Sequence, residues 1–194
     1  MSNVPEIVLL DACVLYPAAL RDFMLRLARQ DAFRPRWSDP ILDEFVRNVL
    51  KNIPDLQPAN LARTVGRMND TFSEAVVVDF EHLLQQLHLP DPDDRHVLAA
   101  ALKAKATTII TMNLKDFPAA TLSRHGVAAV HPDAFVMNLL TSDPSMVERA
   151  FAAQQQSLKN PPISVANLMD KLERQGLIDS MSVLRVRLVE NAGA

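Results

Sequence analysis

Short apolar runs alternate with helical periodicity over the first 140 residues or so. Residues 7–10, 75–78, 107–111 and 127–130 form apolar or β-branched runs that predict strands. Between and after these runs, apolar residues recur at helical spacing and predict helices at 17–28, 38–50, 58–72, 80–87, 95–105, 118–124 and 132–140. This alternation predicts a three-layer α/β/α fold with a central parallel sheet.

The pattern changes after residue 142, where no further strand-like run occurs. Three helices are predicted at 145–158, 164–176 and 179–189, with a proline-rich linker at 159–162. We therefore expect an α/β domain over residues 1–141 and an all-helical C-terminal extension over 142–194. The apolar faces of this extension around Leu168, Leu172 and Leu184 are expected to be covered by another protein chain.

The composition is that of a folded protein without a membrane segment. Hydrophobic residues make up 48% of the 194 residues and charged residues 22%. No stretch reaches the roughly 18 uninterrupted apolar residues of a membrane span, and no basic segment precedes the apolar run at 7–20. We expect a cytoplasmic protein. The single cysteine, Cys13, excludes an internal disulfide and is expected to be a small core residue.

The net charge of −3 at first argues against nucleic acid as a partner. The net charge is a poor guide to the surface charge if several carboxylates share one metal site. Bound cations would then cancel their charge, and the remaining surface would be more basic than the formal count.

Polar side chains occur at the ends of two predicted strands and on two helices. Asp11 follows the first strand, Asn113 and Asp116 follow the strand at 107–111, Asp94 begins a helix, and Glu44 lies in the second turn of another. Ligands bind beyond the carboxyl ends of the strands of an open parallel sheet, so these side chains are expected to converge. Clustered carboxylates repel one another, and Mg²⁺ or Mn²⁺ would turn this repulsion into binding.

Each of these residues also has a purely structural interpretation. Asp94 can be an N-cap in an acidic turn, and Glu44 can belong to solvated ion pairs on its own helix. Asp11 is harder to explain in this way, because a charged group at the end of a buried strand costs free energy unless it is paired or bound to metal.

Four segments resemble the signature segments of the PIN domain family. They are DACVL at 11–15, SDPILDEF at 38–45, DDRHVLAAA at 93–101 and TMNLKDFP at 111–118. The resemblance covers roughly residues 5 to 140 and is greatest to the bacterial VapC-type toxins, which are ribonucleases neutralised by a cognate antitoxin.

The resemblance implies a ligand set for the metal. Asp11, Glu44 and Asp94 match the three family acids that bind metal directly or through water. Where many relatives place a further aspartate this chain has Asn113, with Asp116 one helical turn further on, and either residue can complete the site.

Further residues are candidates to support the ligands or to contact substrate. Asp91, Asp93 and Thr111 are expected to orient the ligands, whereas His96 is expected to point away from them and to be structural or substrate-facing. The expected RNA contacts are two cations with a stacking surface and a lysine beside the fourth site position, namely Arg34, Arg36, Trp37 and Lys115.

Taken together, the resemblance implies an endoribonuclease that depends on Mg²⁺ or Mn²⁺ and leaves 5′-phosphate and 3′-hydroxyl ends. It also implies a type II toxin with an RNA substrate, a cognate antitoxin, and assembly as a homodimer or a toxin–antitoxin hetero-oligomer. Two alternatives remain. A non-catalytic PIN-like scaffold is compatible with Asn113, and a haloacid-dehalogenase-like phosphatase would need a second aspartate at position 13, where this chain has Cys13.

Overall fold

The computed structural model describes residues 5–192, and its core is one parallel sheet. The strands are β1 (Ile7–Leu10), β2 (Arg34–Ser38), β3 (Val76–Val77), β4 (Thr108–Ile110) and β5 (Ala128–Val130). They are arranged in the order β3-β2-β1-β4-β5, and each pair of neighbours is parallel. The predicted α/β fold with a central parallel sheet is confirmed.

The order of the strands reverses between β1 and β4. The chain proceeds outward from β1 to β2 and β3, and then returns to the other side of β1 to form β4 and β5. Such a reversal opens a crevice at the carboxyl ends of the two central strands, because the following connections leave on opposite faces. Leu10 pairs with Ile110 at this edge, and the Asp11 amide donates to the Ile110 carbonyl at 3.1 Å.

β2 is the strand that the sequence pattern did not predict, because its residues Arg-Pro-Arg-Trp-Ser are typical of a basic loop. The Trp37 amide points toward β3 and donates to the Ala75 carbonyl at 2.9 Å. The backbone nitrogen of Pro35, two residues earlier, is directed to the same side of β2. The pairing of β2 with β3 begins only at Trp37, so no amide donor is required at Pro35. A proline is therefore accommodated inside the sheet.

The α-helices of the described chain correspond closely to the predicted ones. In chain order they are α1 (Ala12–Leu15), α2 (Ala18–Arg29), α3 (Asp39–Asn52), α4 (Pro58–Thr71), α5 (Arg95–Lys103), α6 (Ala119–Leu122), α7 (Pro132–Ser142), α8 (Pro144–Ser157), α9 (Val165–Arg174) and α10 (Ile178–Ala192). The predicted helix at 80–87 is instead a 3₁₀ helix, Glu81–Gln86, and further 3₁₀ turns are Pro92–Asp94, Leu114–Asp116 and Ser123–His125.

The described residues divide into two compact units. The first contains the chain up to Tyr16 together with Phe33–Val130, and so holds the whole sheet with α1 and α3 to α6. The second contains Pro17–Ala32 and the chain from His131 onward, and is all-helical. A domain boundary after residue 141 stays a prediction. The C-terminal part of the compact helical unit begins eleven residues earlier, at His131, and the unit also includes α2.

The helical unit has its own apolar core. Phe23 on α2 and Phe151 on α8 pack edge to face with ring centroids 6.4 Å apart. The Gln154 amide donates to the Ala19 carbonyl at 2.9 Å, and the Leu20 amide donates to Gln175 Oε1 at 2.8 Å. Side-chain amides on α8 and just after α9 therefore hold the first turn of α2.

The three leucines expected to need an external partner are buried inside this unit. Leu168, Leu172 and Leu184 are fully inaccessible to solvent, because α9 packs on α2 and α10 packs on both α7 and α9. The prediction that these faces await another chain is wrong. The exposed large apolar side chains of α10 are Ile178, Val183, Val186 and Val189.

Within residues 5–192, no helix combines the length and apolar character needed to cross a membrane.

Candidate active site

Asp11 lies directly after β1 and caps the short helix α1. It is buried, and its Oδ1 accepts a hydrogen bond from the Ala12 amide at 2.7 Å. Oδ2 accepts from Thr111 Oγ1 at 2.7 Å and from the Cys13 thiol at 3.1 Å. This buried carboxylate is therefore held in one orientation at the carboxyl edge of the sheet.

Thr111 links the ends of the two central strands. Its hydroxyl group donates a hydrogen bond to Asp11, and the hydroxyl oxygen accepts one from the backbone amide of Asn113 at 3.0 Å. Thr111 is fully buried, so this geometry is protected from water. The contact is the one expected of a residue that orients a ligand, and that role stays a prediction.

Asn113 and Asp116 lie together after β4. The Asn113 Nδ2 donates a hydrogen bond to Asp116 Oδ2 across the turn Leu114–Asp116. The amide is thus directed at the carboxylate, and the negative charge at this position belongs to Asp116. The two candidates for the fourth position form one pair.

Four other carboxylates act on the pKa of Asp94, which is the last residue of the turn before α5. Partial burial raises the pKa of Asp94 to about 7, and the next causes, in decreasing order, are the negative charges of Asp11, Asp91, Asp116 and Glu44. Its Oδ2 is buried, and no hydrogen-bond partner for it exists among the described residues. This oxygen is therefore available to a cation or to a hydrogen-bond donor.

Glu44 projects from α3, and of the other carboxylates it is Asp11 that acts on it. Burial and the negative charge of Asp11 raise its pKa, while Arg47 and a hydrogen bond with Asn48 act in the opposite direction. The predicted acids are therefore electrostatic neighbours, although they come from separate elements of the chain.

The carboxylates at this edge of the sheet are candidate ligands for a divalent cation. No group of three or more Asp, Glu, His or Cys side chains in residues 5–192 is close enough to hold a metal ion as it stands. The chemistry nevertheless fits, because the site offers carboxylate oxygens, one of them buried without a partner, and their mutual repulsion opposes ionisation of Asp94. Mg²⁺ and Mn²⁺ prefer oxygen ligands and would relieve this repulsion.

His96 faces the acids, and the expectation that it points away is wrong. Its Nε2 lies 3.9 Å from Glu44 Oε2. Burial lowers the pKa of His96, although the negative charges of Asp11 and Asp93 oppose this shift. The expectation assumed that Asp94 and His96 lie on one α-helix. Asp94 instead belongs to the 3₁₀ turn Pro92–Asp94, so the directions of the two side chains do not follow α-helical spacing.

Cys13 and Asp91 have structural roles. Burial and the negative charge of Asp11 raise the pKa of the Cys13 thiol to about 12, so it remains a protonated donor rather than a nucleophile. Asp91 accepts a hydrogen bond from the backbone amide of Asp93 at 2.9 Å and thereby caps the turn that contains Asp94.

Trp37 cannot serve as the predicted stacking surface for RNA. The side chain is fully buried, its Nε1 donates to Asn69 at 2.9 Å, and Phe72 packs against it edge to face. Trp37 is a core residue that joins β2 to α4. Its prediction as an RNA contact is wrong.

The three predicted basic contacts occupy different places. Arg34 pairs in register with Ile7, at the opposite end of β1 from Asp11, so it lies at the wrong edge of the sheet. Arg36 is partly buried, with its guanidinium 3.6 Å from the carboxylate of Glu74. Lys115 is exposed in the turn that carries Asp116, and it remains the predicted RNA contact nearest the acids.

The raised pKa of Asp94 predicts how metal-free protein responds to pH. The ordinary pKa of 3.8 applies in the unfolded chain and about 7 in the folded one. Ionisation therefore costs folded-state stability, and the free energy of unfolding should fall as pH rises from about 4 to 7. After allowance for solvent screening, we expect a loss of about 1 to 2 kcal/mol.

Urea unfolding in a chelator at pH 5 and pH 7.5 measures this loss. Asp94→Asn should remove most of it, and Mg²⁺ should stabilise the unsubstituted protein more at pH 7.5 than at pH 5. Equal pH profiles for the two proteins would show that Asp94 is not the responsible group.

A parallel sheet with strand order 3-2-1-4-5 and carboxylates at the switch between its central strands is compatible with a PIN-type domain, and this strand order also occurs in other doubly wound α/β folds. Residues 7–115 match the family model of the PIN domain, and residues 132–186 match a model described as the VapC50 C-terminal domain. The first match covers more than half of the chain, so the chain belongs to the PIN domain family. The resemblance inferred from the four segments is confirmed, and the phosphatase alternative is wrong.

The chain is also similar to a curated protein sequence. The chain is 35% identical over 82 residues to "Putative ribonuclease VapC50" of Mycobacterium tuberculosis (strain ATCC 25618 / H37Rv). The match covers 42% of this chain and 48% of the relative, so the chain spans about half the length of that protein. No solved structure matches the chain.

Proposed function

We propose that this chain is a metal-dependent endoribonuclease that hydrolyses RNA phosphodiester bonds. The observation that carries the proposal is the set of carboxylate charges that act on Asp94, among them that of Asp11 at the topological switch point. In addition, one buried oxygen of Asp94 has no hydrogen-bond partner in the part of the chain that the structure describes. The match to a protein named as a ribonuclease and the membership of the PIN domain family support it.

Asp11, Glu44, Asp94 and Asp116 are the residues proposed to hold one or two ions of Mg²⁺ or Mn²⁺. When bound, such an ion lowers the pKa of a coordinated water and stabilises negative charge on the phosphate and the leaving oxygen. We assign the fourth position to Asp116, because it carries the charge there, and assign to Asn113 the task of orienting it through Nδ2.

The remaining residues position these acids. Thr111 and Cys13 both donate to Asp11 Oδ2 and fix the direction of its second oxygen. His96 lies beside Glu44, and Lys115 is placed to attract a substrate phosphate close to Asp116. The chain's own contribution is therefore an oxygen-rich edge of the sheet with the exposed Lys115 beside Asp116.

Thr111→Val is expected to lower RNA cleavage about 10- to 100-fold, because a group that orients a metal ligand typically has an effect of this size. Valine has the same shape and cannot donate to Asp11. Thr111→Ser keeps the hydroxyl and should retain most of the activity. Steady-state cleavage at several Mg²⁺ concentrations should show that the valine variant needs more metal. Equal activity of the valine and serine variants would contradict this role for the hydroxyl.

The proposal as a whole is tested with purified protein and total cellular RNA. Cleavage is expected with Mg²⁺ or Mn²⁺ and not with a chelator, and sequencing of the products should find 5′-phosphate ends. Absence of cleavage with either metal would favour the second candidate, a non-catalytic PIN-like scaffold, with which the neutral Asn113 is compatible.

The biological setting proposed for this activity is a type II toxin–antitoxin system in the cytoplasm. It rests on the match of residues 132–186 to the VapC50 C-terminal domain, in addition to the nuclease-like half. A cognate antitoxin would then be the protein partner, in a homodimer or a hetero-oligomer.

A further inference from the structure

A cleft of about 290 Å³ opens on the first unit beside the acidic site. Its walls come from the 3₁₀ helix Glu81–Gln86, the turn Pro92–Asp94 and the first turn of α5. The lining side chains are Leu84, Gln85, Pro92, Asp93, Arg95 and His96. The proposed nuclease chemistry assigns no function to this cleft.

His96 connects the cleft to the acids. His96 lines the cleft, and its Nε2 lies 3.9 Å from Glu44 Oε2. Its Nδ1 is buried without a hydrogen-bond partner among the described residues. Asp93, on another wall, directly precedes Asp94. A ligand seated in the cleft would therefore adjoin the position that a scissile phosphate occupies when the acids hold metal.

The cleft combines apolar surface with donors and acceptors. Leu84 and Pro92 offer apolar contact, Gln85 offers an amide, and Arg95 and Asp93 offer opposite charges. Arg95 Nε donates to the Pro92 carbonyl at 2.7 Å, which fixes the guanidinium at the cleft wall. Flat heterocycles with polar edges are bound by this mixture in single-stranded RNA recognition.

We propose that this cleft binds a nucleobase of the RNA next to the cleavage position, and that it selects guanine. The proposal rests on the proposed ribonuclease function. Guanine presents the acceptors O6 and N7 to a guanidinium, and an amino donor to a carboxylate or to an amide oxygen. These groups match Arg95 together with Asp93 and Gln85. Adenine offers a donor where guanine has O6, so it fits Arg95 less well.

The test measures binding without cleavage. In the Asp11→Asn background with Mg²⁺, fluorescence anisotropy is recorded for uridine pentamers that carry one G, A or C at each position in turn. We expect one G-containing pentamer to bind about 10-fold more tightly than the all-uridine one. Arg95→Gln and Gln85→Ala should each reduce this preference to about 2-fold or less.

Gln86→Ala is the matched control, because Gln86 is exposed on the same 3₁₀ helix as Gln85 and does not line the cleft. It should leave the preference unchanged. Gln85 is itself exposed, so Gln85→Ala is informative even if Arg95→Gln disturbs folding. Equal binding of all pentamers, or a guanine preference that survives in Gln85→Ala, overturns the proposal.

The failure of the nuclease function gives a different result. If the unsubstituted protein cleaves no RNA with Mg²⁺ or Mn²⁺ but a guanine preference sensitive to Gln85 persists, the cleft binds a base in a scaffold protein. If cleavage occurs with cut sites unrelated to guanine in both the unsubstituted and the Gln85→Ala proteins, the base cleft is refuted and the nuclease stands.

Discussion

Asp11→Asn is expected to reduce RNA cleavage at least about 1,000-fold, because removal of a metal-binding charge forfeits several kcal/mol of transition-state stabilisation. The fold should persist, since asparagine has nearly the same shape and its carbonyl oxygen can still accept from the Ala12 amide. Rates with Mg²⁺ and Mn²⁺, together with circular dichroism and a thermal melt, measure both effects.

Asp43→Asn provides the matched control for this experiment. Asp43 is exposed on α3 directly before Glu44, and it makes the same change of net charge without touching the site. Its activity should stay within about 2-fold of the unsubstituted protein, as surface changes usually have small effects. The assignment of Asp11 fails if the asparagine variant keeps a tenth of the activity, or if cleavage survives a chelator.

The same pair of variants examines the proposed toxin function in cells. Expression of the unsubstituted chain and of Asp43→Asn should arrest growth, whereas Asp11→Asn should not. Growth arrest by all three proteins would separate toxicity from cleavage and would favour a binding function.

Asp133→Ala is expected to lower the free energy of unfolding by about 3 to 5 kcal/mol, because three donors lose one charged acceptor. Asp133 is buried in the first turn of α7 and accepts from the Asp179 amide at 2.9 Å, and from the amide and hydroxyl of Ser180 at 2.9 Å and 2.5 Å. One carboxylate therefore caps α10 and joins it to α7.

Asp143→Ala is the comparison for this effect, and urea unfolding is the measurement. Asp143 is an exposed cap of α8 that accepts one hydrogen bond, from the Met146 amide at 3.0 Å. Its loss should cost about 1 kcal/mol, the usual value for an N-cap. If Asp133→Ala costs no more than this control, the contacts of Asp133 do not join α7 and α10 as strongly as the geometry indicates. Asp133→Asn, which keeps an acceptor but no charge, should lie between the two.

The acids at strand ends could be predicted because strand periodicity and sheet topology carry most of the information. Asp11 ends an apolar run, and Asn113 and Asp116 follow a β-branched one, so both were expected at the carboxyl edge of a parallel sheet. The contacts among them were not predictable. The direction of Asn113 Nδ2 toward Asp116, and of Thr111 toward Asp11, depends on side-chain torsions that no spacing rule contains.

Predictions from the sequence were wrong where the role of a residue depends on its neighbours in space. Trp37 beside two arginines suggested an RNA surface, but Asn69 and Phe72 enclose it. Leu168 and Leu172 suggested an open face, but α2, which is more than 130 residues earlier in the chain, belongs to the same compact unit. Local sequence patterns predict that a side chain will be buried, but they do not predict which residues will cover it.

The sequence by itself determined the parallel α/β class, the helical C-terminal part and the acid that follows β1, because alternation and periodicity are local consequences of burial. Only the tertiary structure decided that His96 faces Glu44, that a cleft lies behind it, and that Asp133 caps α10. Each of these depends on residues 46 or more positions apart or on separate elements, and packing of the whole chain brings them together.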